Sequence, residues 1–165
     1  MNLELKPIGV VRVGMDDEAV RNSWKGVRGE LEIFPEYEEG LDGIDGFSHL
    51  ILLTYLDRIG DEGRRVLKVK FRRLRRFGIP YEDMREVGVF CTDSPVRPNP
   101  IALTIVRLLG RRGRFLSVDG LDVFDGTPIL DIKAYTHRRM VKEISVPKWF
   151  EEIEERVREK MGEPL

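Results

Sequence analysis

The segment from Gly88 to Ile101 constrains the fold of this chain more than any other, because three prolines fall within six positions. It reads Gly-Val-Phe-Cys-Thr-Asp-Ser-Pro-Val-Arg-Pro-Asn-Pro-Ile. Pro95, Pro98 and Pro100 fix the backbone φ angle, remove three backbone donors and favour extended geometry in the residues before them. We expect a stiff, non-helical segment, which we call the rail (residues 88–101). It is either a rigid crossover loop or a preorganised binding edge, and its polar residues favour the second.

The composition predicts a soluble globular protein of one domain spanning residues 1–165. The 165 residues are 41% hydrophobic and 35% charged, enough for a core and too apolar for disorder. The formal net charge of -1 excludes a uniformly basic nucleic-acid coat but not a local basic face. The chain has no glutamine and is rich in Glu, Lys and Arg, a bias typical of hyperthermophiles.

The cellular setting predicted from the sequence is the cytoplasm. No apolar run has the length of a membrane span, and the first residues lack the apolar core of a signal peptide. The one cysteine, Cys91, excludes an internal disulfide and fits a reducing compartment. One cysteine and two distant histidines do not support a metal site, so we expect none.

The apolar pattern predicts a mainly β fold: a small closed or nearly closed antiparallel barrel with a C-terminal amphipathic helix. Apolar or alternating stretches separated by glycine turns predict strands at residues 5–13, 29–34, 50–56, 88–91, 101–109, 114–118 and 129–134. We assign the barrel to residues 1–146. Apolar side chains recur every four residues from Trp149, which predicts a helix over 147–162 that packs on the barrel or on a partner subunit.

A basic segment (residues 64–76) contains eight arginines and lysines, interleaved with Val66, Val69 and Phe71. No acidic residue lies between Glu62 and Glu82, so these charges have no partner nearby in the sequence. The segment is either a solvated face of a thermophilic protein or an RNA-binding surface, and unpaired cations beside aromatics favour RNA. The candidate RNA-binding residues are Arg72, Arg73, Arg75, Arg76 and, on the rail, Arg97.

Two further motifs each have a structural and a functional interpretation. The stretch around Asp122, Asp125 and Thr127 is either a plain hairpin turn or an acidic bend whose free groups hold an adenine or a ribose. At the start of the apolar run 50–56, His49 is either a structural histidine or a catalytic base. At the end of the run, Asp57 and Arg58 form either a surface ion pair or part of a binding site.

Together these stretches resemble one family, the TsaA-like or YaeB family typified by tRNA methyltransferase O. The matching motifs are Pro7-Ile-Gly-Val-Val-Arg12, Phe47-Ser-His-Leu50, the whole rail, and Asp125-Gly-Thr-Pro-Ile-Leu-Asp-Ile-Lys-Ala-Tyr135. The resemblance covers most of residues 5–135. It implies a homodimeric β-barrel that binds S-adenosylmethionine near the subunit interface and methylates the exocyclic nitrogen of threonylcarbamoyl-adenosine beside the tRNA anticodon.

The resemblance also implies a set of cofactor-binding residues. Carried over by position, they are Asp57, Arg58, Asp93, Leu103, Leu121, Asp122, Asp125, Gly126 and Thr127. Family members usually have Arg at the position of Asp93 and His at that of Asp57, and their Pro-Arg-Gln stretch is absent here, where residues 20–23 stand. The chain therefore resembles a divergent branch of the family.

These differences leave the chemistry open between three interpretations. The first is a methyltransferase acting on tRNA, with Asp93 or Asp57 attracting the cationic cofactor and the apolar run 50–56 joining Leu103 in a dry pocket. Methyl transfer needs mainly alignment, and the candidates for an optional base are His49 and Asp93. The others are a barrel that binds the cofactor without transfer, and a methyltransferase with a small-molecule acceptor.

Overall fold

A computed structural model describes residues 3–161, which form eight strands and three α-helices. The strands are β1 (Gly9–Arg12), β2 (Val27–Ile33), β3 (His49–Tyr55), β4 (Lys68–Lys70), β5 (Glu86–Gly88), β6 (Ile101–Arg112), β7 (Phe115–Leu121) and β8 (Pro128–Ala134). The helices are α1 (Asp17–Asn22), α2 (Asp61–Arg64) and α3 (Lys148–Met161). Short 3-10 turns cover Pro35–Leu41, Arg72–Phe77, Val89–Cys91 and His137–Arg139.

Six strands close into an antiparallel barrel in the order β1-β2-β7-β6-β3-β8, which confirms the predicted fold class. Each of these strands is paired on both sides, so the barrel has no free sheet edge. The seam between β1 and β8 pairs Gly9 with Ile129 and Val10 with Pro128. Closure therefore places the acidic bend, which directly precedes β8, beside the end of β1.

The barrel interior is filled by aliphatic side chains that alternate along each strand. On β3, Leu50, Leu52 and Thr54 point inward and are fully buried. The near-continuous apolar run 50–56 predicts a strand buried on both faces, whereas Leu53 and Tyr55 are only partly buried. Leu50 and Leu52 therefore belong to the core, and the predicted pocket lined by the whole run 50–56 is wrong for these two side chains.

The largest differences from the sequence prediction lie between residues 64 and 91. Residues 89–91 form a 3-10 turn where a strand was predicted, and the strand β5 ends just before them. β5 pairs with β4 in a small sheet separate from the barrel. Three-residue strands are too short to give a periodic signal, and the charges of the basic segment conceal the apolar side chains that pack.

The C-terminal helix α3 packs against the basic segment. A second hydrophobic cluster joins Leu74 and Met84 to Val157 of α3, with Phe71 and Ile153 partly buried against it. The helix prediction is confirmed for residues 148–161, whereas Gly162 lies outside the described residues. The helix was predicted to pack on the barrel or on a partner subunit. In this cluster Val157 instead contacts the segment between β4 and β5.

Glu32 on β2 ties three barrel strands together. Its carboxylate accepts hydrogen bonds from Arg12 Nε of β1 at 2.8 Å and from Arg114 Nη1, which precedes β7, at 3.0 Å. Arg114 also donates to the Ile33 carbonyl at 2.8 Å. The hydrogen bonds from Arg12 and then Arg114 hold the pKa of Glu32 below its ordinary value of 4.5. Because the pKa of Glu32 is lowered in the folded protein, the ionised carboxylate stabilises the fold above pH 4.5. This stabilisation is lost as the pH falls through the folded pKa.

We expect Glu32→Gln to lower the melting temperature at pH 7 and to lower it less at about pH 3, because the stabilisation by the carboxylate decreases as the pH falls below 4.5. Thermal unfolding followed by circular dichroism at both pH values measures the two differences. Glu30→Gln is the matched control, since Glu30 on the same strand forms a 3.7 Å ion pair with the exposed Arg112. An equal loss at both pH values would contradict an electrostatic role for Glu32.

Candidate functional site

Three segments that are distant in the sequence meet at one end of the barrel. The Leu56 amide donates to the Pro100 carbonyl at 2.7 Å, which joins the end of β3 to the end of the rail. Two residues later, Arg58 Nη2 donates to the Asp125 carbonyl at 3.1 Å. The tripeptide 56–58 thus connects the rail to the acidic bend, and it carries Asp57 between the two contacts.

The acidic bend (residues 122–127) is held in shape by the end of β1. The Val13 amide donates to Asp125 Oδ1 at 2.9 Å, and the Gly126 amide donates to the Val11 carbonyl at 2.8 Å. Gly126 has a φ of +78°, a left-handed conformation that favours glycine. The motif is therefore a turn, but it is not the predicted hairpin turn, because β7 and β8 do not pair with each other. The same turn carries acidic side chains at the site.

Arg58 fastens the acidic bend to α1. Its guanidinium forms an ion pair with Asp17 of α1, donates to the bend through the Asp125 carbonyl, and lies 5.0 Å from the ring centre of Phe124. A guanidinium with three such contacts is oriented before any ligand arrives. The contacts make Arg58 a structural brace of the site, with its remaining donors open to a ligand.

Asp122 is held by a buried threonine of β6. Thr104 Oγ1 donates to Asp122 Oδ1 at 2.6 Å, the short distance of a hydroxyl on a charged acceptor. Thr104 is 8% exposed, whereas Asp122 is exposed at the barrel end. One carboxylate oxygen is therefore fixed from inside the barrel while the residue stays accessible from outside.

The rail is braced by its own side chains and by α2. Arg97 Nη1 donates to the Thr92 carbonyl at 2.9 Å, and the Ser94 amide donates to Thr92 Oγ1 at 3.2 Å. A Cβ on Gly63 of α2 would stand 3.4 Å from Cγ1 of Val96, so the helix lies close against the rail. Arg97 is half-buried by this bracing, whereas the neighbouring Asp93 is exposed.

Three other predicted site residues do not expose a side chain at this barrel end within one subunit. His49 begins β3, and about 20 Å of extended strand divides it from Asp57. Its Nδ1 lies 2.9 Å from Ser48 Oγ. Leu121, the last residue of β7, is fully buried in the core. Leu103 is 63% exposed on the outer face of β6.

The basic segment forms a separate surface in which cations and aromatics have different roles. Arg72 and Arg75 are exposed, while Phe71 and Phe77 are partly buried in the cluster with α3. The aromatics therefore pack beneath the cations and do not interleave with them on the surface. Arg73 and Arg76 belong to the same 3-10 turn, and their side chains are not among those described.

The sequence did not single out Thr104 or Asp17 as residues of this site. Thr104 was detectable as a hydroxyl at an inward position of β6, between Ala102 and Val106. Asp17 gave no signal, because its contact with Arg58 spans 41 positions. Long-range side-chain pairs of this kind need the closed barrel before they become visible.

Among the described residues 3–161, no three His, Cys, Asp or Glu side chains are grouped closely enough to hold a metal ion. No helix in that range combines the length and apolar character needed to cross a bilayer. The groups that the barrel end does offer are carboxylates and backbone polar groups. Asp57, Asp122 and Asp125 are all exposed there, a set that suits a cationic ligand carrying hydrogen-bond donors.

Known proteins are similar to this chain in sequence and in fold. Residues 20–139 match the family model of the tRNA-methyltransferase O N-terminal domain. A probable S-adenosyl-L-methionine-binding protein of Archaeoglobus fulgidus is 46% identical over 125 residues, 74% of this chain and 30% of that protein. A mouse (Mus musculus) tRNA (adenine(37)-N6)-methyltransferase is 38% identical over 103 residues, 62% of this chain and 22% of that protein.

The barrel superposes on the crystal structure of TrmO from Pseudomonas aeruginosa with a TM-score of 0.64 and 29% identity. The match covers 88% of this chain and 62% of that one. The chain thus spans less than two thirds of each of these three proteins.

Proposed function

Because this chain belongs to the family of the tRNA-methyltransferase O N-terminal domain, we propose that it is an S-adenosylmethionine-dependent methyltransferase that acts on tRNA. The relative from Archaeoglobus fulgidus is named for binding this cofactor, and the mouse relative for methylating tRNA. A tRNA substrate assigns the enzyme to the cytoplasm in this proposal.

The observation that carries the proposal is the link from the rail through residues 56–58 to the acidic bend. It assembles Asp57, Asp122 and Asp125 at one barrel end from segments that lie far apart in the sequence. An adenosyl sulfonium is a cation with hydroxyl and amino donors, and carboxylates complement both features. In this proposal Asp122 and Asp125 hold the adenosyl group, and Asp57 and Asp93 attract the positive charge.

When bound, the cofactor would supply an electrophilic methyl group to a nitrogen of the acceptor and leave as its demethylated product, and that nitrogen would give up a proton. The residues of the chain contribute alignment, which is the main requirement of such a displacement. Asp93 is the candidate for accepting the proton, since it is exposed on the braced rail. His49 is the weaker candidate, because most of β3 separates it from Asp57 within one subunit.

The finer proposal is that the acceptor is the exocyclic nitrogen of threonylcarbamoyl-adenosine next to the anticodon. It is supported by the motifs shared with the family and by the name of the mouse relative, which specifies position 37 of tRNA and N6 of adenine. Asp93 and Asp57 replace the residues usual in the family, so the experiment has to test the acceptor separately from the cofactor.

We expect the purified chain to transfer labelled methyl groups from S-adenosylmethionine to tRNA that carries threonylcarbamoyl-adenosine, and not to the same tRNA transcribed without modification. Scintillation counting of the precipitated tRNA measures transfer, and mass spectrometry of the nucleosides locates the methyl group. Asp122→Ala should reduce transfer at least tenfold, whereas Asp61→Ala of the exposed α2 is a matched control.

Each other outcome would correct a particular part of the proposal. Equal transfer to the unmodified transcript would contradict the finer acceptor. Cofactor binding without transfer to any tRNA would favour the binding module, and transfer to small metabolites would favour the third interpretation. A chain that binds no cofactor by calorimetry would exclude all three.

We also propose that the protein is a homodimer formed through the outer face of β6. Along this strand Ile101, Leu103 and Ile105 point outward and are 37%, 63% and 48% exposed. Beside them Leu53 of β3 pairs with Leu103 and extends the apolar face. A closed barrel has no edge to offer a partner, so association through an apolar face is the available route. Leu103 in such an interface would also lie near the cofactor, as the resemblance implies.

We expect Leu103→Glu to convert the dimer to a monomer, because it would bury two unpaired carboxylates at the centre of the interface. Sedimentation equilibrium measures the mass of both proteins. Leu67→Glu introduces the same charge at a 61%-exposed leucine away from β6 and should leave the mass unchanged. A monomeric wild-type protein at micromolar concentration would overturn the proposed interface.

The basic segment is proposed as the surface that binds the phosphates of tRNA. Its exposed arginines Arg72 and Arg75 project from a 3-10 turn anchored on α3, and Lys70 and Arg72 lie 4.7 and 5.9 Å from the ring centre of Tyr81. Arg73, Arg76 and Arg97 belong to the same proposal as expected from the sequence. Cations on an anchored surface give an affinity that depends on released counterions.

We expect the double variant Arg72→Ala, Arg75→Ala to weaken tRNA binding and to reduce the slope of log affinity against log salt by about two, one for each lost phosphate contact. Filter binding between 50 and 300 mM salt gives the slope, these concentrations being roughly the range over which such slopes are resolved. The control Arg28→Ala, Arg112→Ala removes the same charge at side chains that are 79% and 81% exposed. An identical slope for both double variants would show that the basic segment makes no specific contact.

A further inference from the structure

Thr104 has a buried hydroxyl that donates a hydrogen bond to a residue of the proposed cofactor site. It occupies an inward position of β6 between Ala102 and the fully buried Val106, where apolar side chains fill the barrel. A threonine in such a position costs stability unless its hydroxyl is paired. Its partner is Asp122 Oδ1 at 2.6 Å, a residue of the acidic bend.

This hydrogen bond restricts a side chain that would otherwise move. Asp122 follows directly on the last residue of β7 and is exposed, so packing alone does not select one rotamer. Ordering a free side chain on binding lowers the affinity for a ligand. A donor from the rigid barrel wall orders the carboxylate in advance, and its other oxygen keeps its acceptor sites for a ligand.

From these contacts we propose that Thr104 is a positioning residue that orients Asp122 toward a hydroxyl or amino donor of the adenosyl cofactor. The inference rests on the proposed function, because it requires the acidic bend to bind that cofactor. It predicts that Thr104 affects the affinity for the cofactor and leaves the methyl-transfer step unchanged once the cofactor is bound.

The neighbouring strand provides a matched control in Thr54. It lies diagonally across from Thr104, since Thr54 pairs with Ala102 and Leu52 pairs with Thr104. Its side chain is fully buried, and among the described residues its hydroxyl is the buried side-chain atom without a hydrogen-bond partner. Thr54→Val and Thr104→Val are therefore the same chemical change in the same barrel, with one hydrogen bond to Asp122 lost in only the second.

The experiment measures binding of S-adenosylhomocysteine, the stable product of transfer, to the full chain by isothermal titration calorimetry. We expect Thr104→Val to raise the dissociation constant about three- to tenfold, as the cost of ordering the Asp122 side chain on binding implies. Thr104→Ser, which keeps the hydroxyl, and Thr54→Val should stay within twofold of the wild type. In transfer assays Thr104→Val should raise the KM for the cofactor and leave kcat unchanged.

A double-variant cycle separates positioning from a general effect on the fold. If Thr104 acts through Asp122, adding Thr104→Val to Asp122→Ala should change the dissociation constant less than twofold. Additive losses, equal losses in Thr54→Val and Thr104→Val, or wild-type affinity in Thr104→Val would each overturn the inference while leaving the proposed function intact. A wild-type chain that binds no cofactor would overturn both.

Discussion

The seam between β1 and β8 is the constraint on which the other features of this molecule depend. It is a short pairing, Gly9 with Ile129 and Val10 with Pro128, extended by the hydrogen bond from the Val11 amide to the Thr127 carbonyl at 2.9 Å. Without it the sheet would have two open edges and the acidic bend would lose its hydrogen bonds to the end of β1. The candidate site therefore depends on barrel closure, because the residues that complete the seam also fix the shape of the bend.

β6 serves two surfaces at once through the alternation of its side chains. Inward positions place Thr104 against Asp122 at the barrel end, and outward positions present Leu103 and Ile105 to a second subunit in the proposed dimer. A shift of the β6 register by one residue would exchange these faces and would remove both features together. The seven-residue pairing with β3, from His49 with Arg107 to Tyr55 with Ile101, fixes that register.

Much of the fold could be predicted from the sequence, because apolar alternation and glycine turns identify antiparallel strands directly. The barrel, the amphipathic α3 and the rigid rail follow from such local patterns. The small sheet of β4 and β5 could not be predicted, since three-residue strands among lysines and arginines have no periodicity. The direction in which α3 packs depended on Leu74 and Met84, which the sequence shows only as isolated apolar residues.

The candidate site was predictable in part for a similar reason. Motifs that are continuous in the sequence, such as the rail and the bend, were recognisable, and the hydrogen bonds of residues 56–58 join them as the cofactor hypothesis requires. Contacts that depend on closure were not recognisable. Arg58 and Asp17 lie 41 positions apart in the chain, and the contact of Thr104 with Asp122 depends on the inward orientation of Thr104 in the barrel.

The protein has two hydrophobic clusters of unequal size: the barrel interior and the small cluster beneath the basic segment. The cluster buries Leu74, Met84 and Val157, far fewer apolar side chains than the barrel interior. Local stability follows the apolar area that a region buries, so the cluster is the less stable of the two. The basic segment can therefore unfold locally and refold while the barrel stays folded. In the proposed function, the basic segment could then adjust its tilt to an RNA surface while the barrel end proposed to bind the cofactor keeps its shape.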